Sequence, residues 1–317
     1  MYRRDIPIRI EQDQHHKTVA VLLATHNGLQ WISAQVESIL NQINVDLRLI
    51  ISDDLSTDGT WDWLQRLASQ DNRVTVLPQN QKFGNAAANF YRLLLDADFA
   101  ECDFIAYSDQ DDVWELDKLD RHIYIADQGK YEGVSSNVTA FWSDGSSALI
   151  MKSQAQRTLD YLFESAGPGS TFLMTPWLVS ELRRLLVNPA SCARKVASHD
   201  WLTYAVCRAA KRPWHIDEVS TVRYRQHPAN ELGANYGFKA GLSRLKKLKM
   251  GWYRTEIMKI LSVCMTLSRD PAFIGLTRLL HEESLINRIR LLRYISRARR
   301  RAVDRIALMG AILVFLF

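Results

Sequence analysis

The chain has 317 residues, of which 47% are apolar and 24% are charged, a composition typical of a globular protein with a sizeable core. It contains no apolar run of 18 residues, which predicts no membrane-spanning helix, and its polar start predicts no cleaved signal peptide. The four cysteines are scattered without a CxxC pair, which argues against a disulfide framework or a zinc site.

The net charge of +5 is distributed unevenly along the chain. Residues 236–317 contain 17 Lys or Arg and 5 Asp or Glu, a local charge of +12, whereas the rest of the chain carries −7. An acidic region suits a metal-dependent site, and a basic region suits a phosphate-bearing surface. We therefore place a domain boundary near residue 235 and expect the regions 1–235 and 236–317 to face different partners.

The first part of the chain alternates strand and helix patterns. Apolar, β-branched runs predict strands over 18–24, 47–51, 73–77 and 103–107. Helical spacing of apolar residues predicts intervening helices over 31–41, 60–68, 85–95 and 116–125. This alternation argues for an α/β fold with a mixed, mainly parallel sheet flanked by helices. Further along, the patterns predict a strand over 138–142 and helices over 176–187 and 200–210, followed by a helical, basic extension after residue 235.

Polar residues follow three of the predicted strands. These segments are Thr25-His26, Asp53-Asp54 and Asp109–Asp112. In open α/β sheets, ligands bind beyond the carboxyl ends of the strands. We therefore expect the three segments to converge on one crevice.

The acidic segment Asp109-Gln110-Asp111-Asp112 has two interpretations. Carboxylates in an extended loop can bind Mg²⁺ or Mn²⁺, which would take its remaining ligands from a diphosphate and water. Alternatively, the acids are a solvated helix N-terminus, where negative charge is favourable. Three clustered carboxylates are costly to hold together without a cation, which favours the metal interpretation.

The pair Asp53-Asp54 is open to the same kind of choice. As two acids before a predicted helix, they are typical of helix capping. Their functional interpretation is that one carboxylate accepts hydrogen bonds from the base or ribose of a nucleotide.

Six motifs in order carry a resemblance to a known family. They are VAVLLATHNG at 19–28, ISDDLSTDGT at 51–60, QKFGN at 81–85, SDQDDVW at 108–114, SHDW at 198–201 and YRQH at 224–227. Together they resemble the motifs of family 2 glycosyltransferases, in particular the rhamnosyltransferase-like subgroup, over roughly residues 18–235. The resemblance implies a GT-A fold and a catalytic domain at 1–235.

The resemblance also implies roles for individual residues. Thr25, His26 and Asp54 would contact the nucleotide, although the family more often has tyrosine where this chain has His26. Asp109 and Asp111 occupy the metal-binding positions, with Asp111 the direct ligand. The remaining implied roles are Asp200 as the catalytic base and His227 near the donor diphosphate or the metal.

The implied reaction is an inverting transfer from a nucleotide-diphosphate sugar to a saccharide acceptor. The base deprotonates the acceptor hydroxyl as it attacks the anomeric carbon, while the metal offsets charge on the leaving diphosphate. By resemblance, the expected donor is dTDP-rhamnose, and the expected acceptor is a lipid-linked glycan of bacterial surface polysaccharide synthesis. Without the resemblance, Asp200 would be interpreted as a first-turn helix acid, and His227 as a surface-loop histidine.

Two other functions compete with this hypothesis. A sugar nucleotidylyltransferase also binds a nucleotide and a metal, but it usually has a Gly-rich basic loop after the first strand, which residues 24–28 lack. An anionic-lipid or nucleic-acid binding protein would explain the basic C-terminal region. The acidic front and the absence of an RNA-binding motif argue against nucleic acid as a partner.

The segment 290–306 is predicted to be an amphipathic helix. Leu291, Ile295, Ala298, Ala302 and Ile306 fall on one stripe at about 100° per residue, with arginines, Arg300 among them, on the opposite side. This layout is typical of a helix that docks on an anionic membrane, and predicts a cytoplasmic protein peripheral to the inner face of the cell membrane. Alternatively, the stripe packs on the catalytic domain or on a second subunit of a homo-oligomer. A chain ending near Gly233 is expected to stay soluble.

Overall fold

The structure, a computed structural model, describes residues 16–227, 251–282 and 284–314. Within these residues, nine strands form one sheet. The strands are β1 (Lys17–Thr25), β2 (Val45–Asp53), β3 (Val74–Val76), β4 (Phe104–Ser108), β5 (Val113–Trp114), β6 (Gly133–Phe141), β7 (Ser147–Ile150), β8 (Leu173–Met174) and β9 (Trp214–Arg225).

Helices cover the sheet and form the C-terminal region. Those of the first part are α1 (Ile32–Leu40), α2 (Thr60–Gln70), α3 (Ala86–Asp96), α4 (Lys118–Gly129), α5 (Pro176–Val187) and α6 (His199–Ala209). Those of the C-terminal region are α7 (Trp252–Leu267), α8 (Pro271–His281), α9 (Leu285–Leu291), α10 (Ile295–Ala298) and α11 (Ala302–Leu313).

The sheet is parallel in its first half and mixed in its second. Its strand order is β3-β2-β1-β4-β8-β6-β9-β5, with β7 paired to β6. β1 pairs in parallel with both β2 and β4, whereas β8 pairs antiparallel with β4 and β6. The predicted strands and helices of the first part form within a few residues of their expected positions.

The central strand β1 contains an unbroken apolar run at residues 19–24, and its position in the sheet explains this run. Successive side chains of a strand point to opposite faces of the sheet. Val19, Val21 and Leu23 therefore enter one buried cluster, and Ala20 and Leu22 enter the other. Both faces are covered by helices, so residues 19–24 of this strand are all apolar.

The long strand β9 is not predicted by the sequence analysis. It contains His215, Asp217 and Glu218, which break the apolar pattern expected of a buried strand. It pairs in parallel with β6, with a register shift around Asn137, and antiparallel with β5. Tertiary pairing thus overrides a weak local signal, and β9 brings the motif at 224–227 to the sheet.

The C-terminal helices share a core with the first part of the chain. One buried cluster contains Trp201 and Tyr204 of α6 together with Ile257 and Cys264 of α7 and Phe273 of α8. The predicted boundary near residue 235 lies outside the described residues. None of the helices in the described ranges is long and apolar enough to cross a membrane.

The single helix expected over 290–306 does not form, and that prediction is wrong. α9 ends at Leu291, a 3-10 turn and the short α10 follow, and Arg299 is extended, with φ −129° and ψ 146°. Ala298 is buried, whereas Ile306 is 63% exposed, so the expected stripe does not face one environment. Arg300, expected on the polar side of this helix, is instead buried, where it pairs with carboxylates of the first part of the chain.

Candidate active site

The three predicted polar segments meet at the carboxyl ends of β1, β2 and β4. Thr25 pairs with Asp53 in the sheet register, and Leu23 pairs with Ser108. This arrangement follows from the parallel pairing of the strands, and it places the loops after them at one edge of the sheet.

Gln110 connects the first and third of these segments. Its Oε1 accepts hydrogen bonds from the Thr25 hydroxyl at 2.6 Å and the His26 backbone N–H at 2.8 Å, and its Nε2 donates to the His26 carbonyl at 3.1 Å. A Cβ atom at Gly28 would collide with the Gln110 side chain. The sequence analysis assigned no role to Gln110, and only the fold shows that it holds the His26 backbone.

Asp53 and Asp54 both anchor loops. The buried Asp53 accepts hydrogen bonds from the backbone N–H and the hydroxyl of Ser56, at 2.9 and 2.5 Å, and from the Gln79 amide. Asp54 accepts from the backbone N–H groups of Phe83 and Gly84, the latter at 2.7 Å. Neither carboxylate caps α2, which begins after Gly59 without a side-chain capping hydrogen bond, so the helix-capping interpretation is wrong. The nucleotide contacts of Asp54 stay a prediction.

Two polar residues of α3 complete this edge of the sheet. Asn89 donates to the backbone carbonyls of Thr25, at 3.3 Å, and Ser52, at 3.0 Å. Arg92 donates to the Ser52 hydroxyl at 3.0 Å. Neither residue was predicted as part of the site, although a buried Asn and Arg three residues apart on an apolar helix face are a usable signal.

His227 lies next to the acidic loop. Its Nε2 is 2.7 Å from Oδ2 of Asp111, and its ring stacks on Trp31 with centroids 3.9 Å apart. Arg225, two residues earlier, donates from its side chain to the Asp111 carbonyl at 2.8 Å and from its backbone to Asp112 at 3.1 Å. The end of β9 and the residues after it are therefore bound to Asp111 and Asp112 of the acidic loop.

The carboxylates of this loop influence one another strongly. Burial, together with the charges of Asp111 and Asp109, raises the pKa of Asp112 well above its usual value. Burial and the charges of Asp112, Asp109, Asp111 and Asp200 raise the pKa of the Tyr224 hydroxyl. The charges of the acidic loop and of Asp200 therefore act on the same tyrosine.

Asp200 lies in the first turn of α6. Its Oδ1 accepts hydrogen bonds from the Trp201 backbone N–H at 2.7 Å and from the Ser198 hydroxyl. Its Oδ2 makes no hydrogen bond within the part of the chain that the structure describes. One oxygen is therefore fixed while the other is available to take a proton.

His199 is a packing residue. It is buried, stacks on Phe90 with centroids 3.8 Å apart, and meets the edge of Tyr107 at 5.1 Å. Burial lowers the pKa of His199 to about 4, so the ring is neutral near pH 7. Gly169 lies against Nε2, where a Cβ would collide, so the start of α6 packs tightly on the loop at 165–171.

The chain is similar to known proteins along most of its length. Residues 20–162 match the family described as "Glycosyl transferase family 2". Over 239 residues, the chain is 40% identical to the dTDP-rhamnosyl transferase RfbG of Shigella flexneri, which covers 75% of this chain and 83% of that protein. The chain belongs to glycosyltransferase family 2. This confirms the predicted family and enzyme class. The two alternative functions, a sugar nucleotidylyltransferase and a lipid- or nucleic-acid-binding protein without enzyme activity, are therefore rejected.

Other relatives of this glycosyltransferase confirm its fold. The structure of S. aureus TarS 1–349 in complex with UDP matches with a TM-score of 0.55 and 13% identity, covering 83% of this chain and 86% of that one. The predicted GT-A fold is therefore correct.

A further relative by sequence is the Escherichia coli enzyme WfaP, a UDP-Glc:alpha-D-GlcNAc-diphosphoundecaprenol beta-1,3-glucosyltransferase. It is 33% identical over 112 residues, or 35% of this chain and 42% of that protein.

The side-chain atoms near the acidic loop determine whether this glycosyltransferase can bind the expected cation. In the described ranges, no three His, Cys, Asp or Glu side chains converge on a point that could hold a metal ion. The adjacent Asp111 Oδ2 and His227 Nε2 are two atoms that could ligate a metal ion. Mg²⁺ sites commonly use one or two protein ligands and complete the shell with substrate phosphate and water. The residues present therefore fit a cation that is shared with a diphosphate.

Proposed function

We propose that this enzyme transfers rhamnose from dTDP-rhamnose to a lipid-linked glycan in bacterial surface polysaccharide synthesis, with inversion at the anomeric carbon. The observation that carries the proposal is that the acidic loop contacts the segment after β1 through Gln110 and contacts His227 through Asp111. The donor is suggested by the similarity to RfbG, a dTDP-rhamnosyl transferase. The acceptor class is suggested by WfaP, whose acceptor is a saccharide on diphosphoundecaprenol.

Asp200 is the base in the proposed reaction. Its Oδ2 takes the proton of the acceptor hydroxyl as the hydroxyl oxygen bonds to the anomeric carbon of the donor. The bond from that carbon to the diphosphate oxygen breaks, and dTDP leaves with the bonding electron pair. Because Trp201 and Ser198 hold Oδ1, the carboxylate is oriented before the acceptor binds.

The proposed cation site is formed by Asp111 and His227; among the described residues, Asp109, the other predicted ligand in this loop, does not converge on the same point with them. Mg²⁺ or Mn²⁺ bound there would offset the negative charge of the diphosphate. Trp31 stacks on His227 and keeps its ring oriented toward Asp111.

The proposed nucleotide site lies over the ends of β1 and β2, formed by Thr25, His26, Asp53 and Asp54. Asp54 uses one acceptor position for each of two backbone N–H groups. A carboxylate has about four acceptor positions. Asp54 therefore keeps the capacity to accept a hydrogen bond from the base imide while it anchors the loop at 83–84.

A donor panel tests the proposal. The purified enzyme is incubated with dTDP-rhamnose, UDP-glucose, UDP-GlcNAc or GDP-mannose, with and without a lipid-linked acceptor, and nucleotide diphosphate release is measured. We expect acceptor-stimulated release from dTDP-rhamnose that a chelator abolishes and added Mg²⁺ or Mn²⁺ restores. Faster release from another donor would refute the donor assignment, and full activity with chelator would refute the cation.

We infer in addition that the C-terminal region docks on the inner face of an anionic membrane. α8, α9 and α11 expose large apolar side chains, namely Ile274, Leu285, Ile286, Ile289, Val303, Ile306, Met309 and Leu313. α9 packs against both α8 and α11, so these side chains belong to adjoining helices. Arginines on the same segments, among them Arg290, Arg293 and Arg301, are exposed. Apolar side chains mixed with arginine are typical of a surface that binds anionic lipid.

A further inference from the structure

Glu256 of the C-terminal region contacts the chain immediately before the proposed base. Its side chain is 1% exposed, and its Oε2 accepts a hydrogen bond from the Ala197 backbone N–H at 2.9 Å. Its Oε1 accepts from Lys259 at 2.5 Å. Ala197 is three residues before Asp200. A buried carboxylate is costly unless it is fully paired, so this contact constrains both partners.

Arg300 makes a second connection, through Asp160 and the segment that follows it. Its side chain is 2% exposed, lies 3.3 Å from Oδ2 of Asp160, and donates to the Ser165 carbonyl at 2.6 Å. The same Asp160 oxygen accepts from the Tyr204 hydroxyl at 2.9 Å. Tyr204 lies on α6, four residues after Asp200. A continuous hydrogen-bonded path therefore leads from Arg300 to the helix that carries the proposed base.

The segment 160–169, which contains the partners of Arg300, also contacts the start of α6 directly. The Trp201 indole N–H donates to the Tyr161 carbonyl at 2.8 Å. Gly169, further along the segment, packs against His199. Both neighbours of Asp200 are thus held by residues 160–169, which Arg300 holds in turn.

We propose that the C-terminal region positions the Asp200 carboxylate for catalysis through Glu256 and Arg300, so that both act as positioning residues. The inference rests on the proposed role of Asp200 as base. The region is then a structural part of the acceptor side of the active site, in addition to any contact with lipid. Asp53 and Asp54, on the donor side, are held by their own loops, so donor binding is expected to be independent of this path.

Substitutions in the full-length enzyme test the proposal. We expect Glu256→Ala and Arg300→Met to lower kcat by roughly 10- to 100-fold, the scale of a displacement of about 1 Å in a reacting group. The Kd for dTDP should change less than about twofold, because the donor side is not altered. Glu256→Gln should recover part of the loss, because its amide oxygen can still accept the Ala197 N–H. The control Arg66→Met, at an exposed position of α2 outside both the active site and the lipid-docking surface, should match the wild type.

A double substitution distinguishes positioning from general damage. If Glu256 acts through Asp200, adding Glu256→Ala to Asp200→Asn should lower the residual rate no further. An additive loss, a parallel loss of dTDP affinity, or a wild-type kcat in Glu256→Ala and Arg300→Met would overturn the inference. If the Ala and Met variants do not fold, Glu256→Gln and Arg300→Lys are judged by the same criteria. An unimpaired Asp200→Asn would instead refute the base assignment in the proposed function.

Discussion

His227 Nε2 and Asp111 Oδ2 lie 2.7 Å apart although 116 positions separate the two residues in the chain. The contact exists because β9 runs antiparallel to β5, which directly follows the acidic loop. Two further hydrogen bonds from Arg225 to the loop hold the same strand end in place. An imidazole and a carboxylate are thereby brought together at the point where a donor diphosphate is expected.

Replacing Asp111 should remove the proposed cation ligand. We expect Asp111→Ala to weaken Mn²⁺ binding by at least about 10- to 100-fold, with a matching loss of transfer at low metal concentration. The exposed Asp117, six residues later, provides the control Asp117→Asn, which should behave as wild type. Calorimetric titration with Mn²⁺ and dTDP is the measurement. Full activity of Asp111→Ala in metal-free buffer would contradict the prediction.

Replacing Asp200 should affect chemistry and spare donor binding. We expect Asp200→Asn to lower kcat by about 10²–10⁴-fold, the usual contribution of a general base, with an unchanged Kd for dTDP. Asp62 gives the matched control Asp62→Asn, because it also lies in the first turn of a helix, α2, and is not one of the site residues. Loss of dTDP binding in Asp200→Asn would assign the residue to the donor instead.

The apolar face of α9 and α11 should govern membrane binding. We expect the enzyme to float with liposomes containing anionic lipid, less so as salt rises, because ions screen the arginines. Ile289→Asp with Ile306→Asp should abolish flotation, whereas Leu149→Asp, at a similarly exposed position of β7, should not. A different result would contradict this prediction: the protein does not bind anionic liposomes at low salt, and light scattering shows that the two Asp substitutions dissociate a dimer. In that case a second copy of the chain covers the face.

A chain that ends after His227 should aggregate. Trp201 and Tyr204 of α6 are buried in one cluster with Ile257, Ile260 and Cys264 of α7, and truncation would expose them to water. The solubility expected from the sequence for a chain ending near Gly233 is therefore revised. The check is the soluble fraction after expression, compared with that of the full-length protein. A soluble, cooperatively unfolding truncated chain would show that the shared core is dispensable.

The buried Lys118 should limit stability in a pH-dependent way. Its Nζ lies 3.6 Å from the centroid of the Trp114 ring and has no hydrogen-bond partner within the described residues. Burial lowers the pKa of Lys118 to about 7, whereas the unfolded chain keeps the ordinary value near 10.5. The cost of burying the charge is therefore greatest below pH 7 and declines as the pH rises toward 10.5.

Substituting this lysine measures that cost. Lys118→Met should raise the free energy of unfolding by roughly 1–4 kcal/mol at pH 6 and by less at pH 9.5. Urea denaturation at the two pH values, with the exposed Lys195→Met as control, is the measurement. A gain that is the same at both pH values would show that the native lysine does not titrate between them.

The sequence by itself determined the parallel half of the sheet and the place of the site. An apolar run such as 18–24 reports burial on both faces of a strand, because neighbouring side chains alternate between two cores. The polar residues after such strands then meet at one edge, since parallel strands end on the same side. Thr25, Asp53 and Asp109 could therefore be located together from local patterns alone.

Only the tertiary structure decided the contacts of Gln110, Glu256 and Arg300. Their partners are His26, Ala197 and Asp160, all far away in the chain, and no local pattern encodes a partner that pairing and packing select. A periodic pattern shows which side chains are apolar, but it does not show whether the protein core or another surface covers them. For this reason, the stripe expected over 290–306 divides in the fold, with Ala298 against the protein core and Ile306 outward.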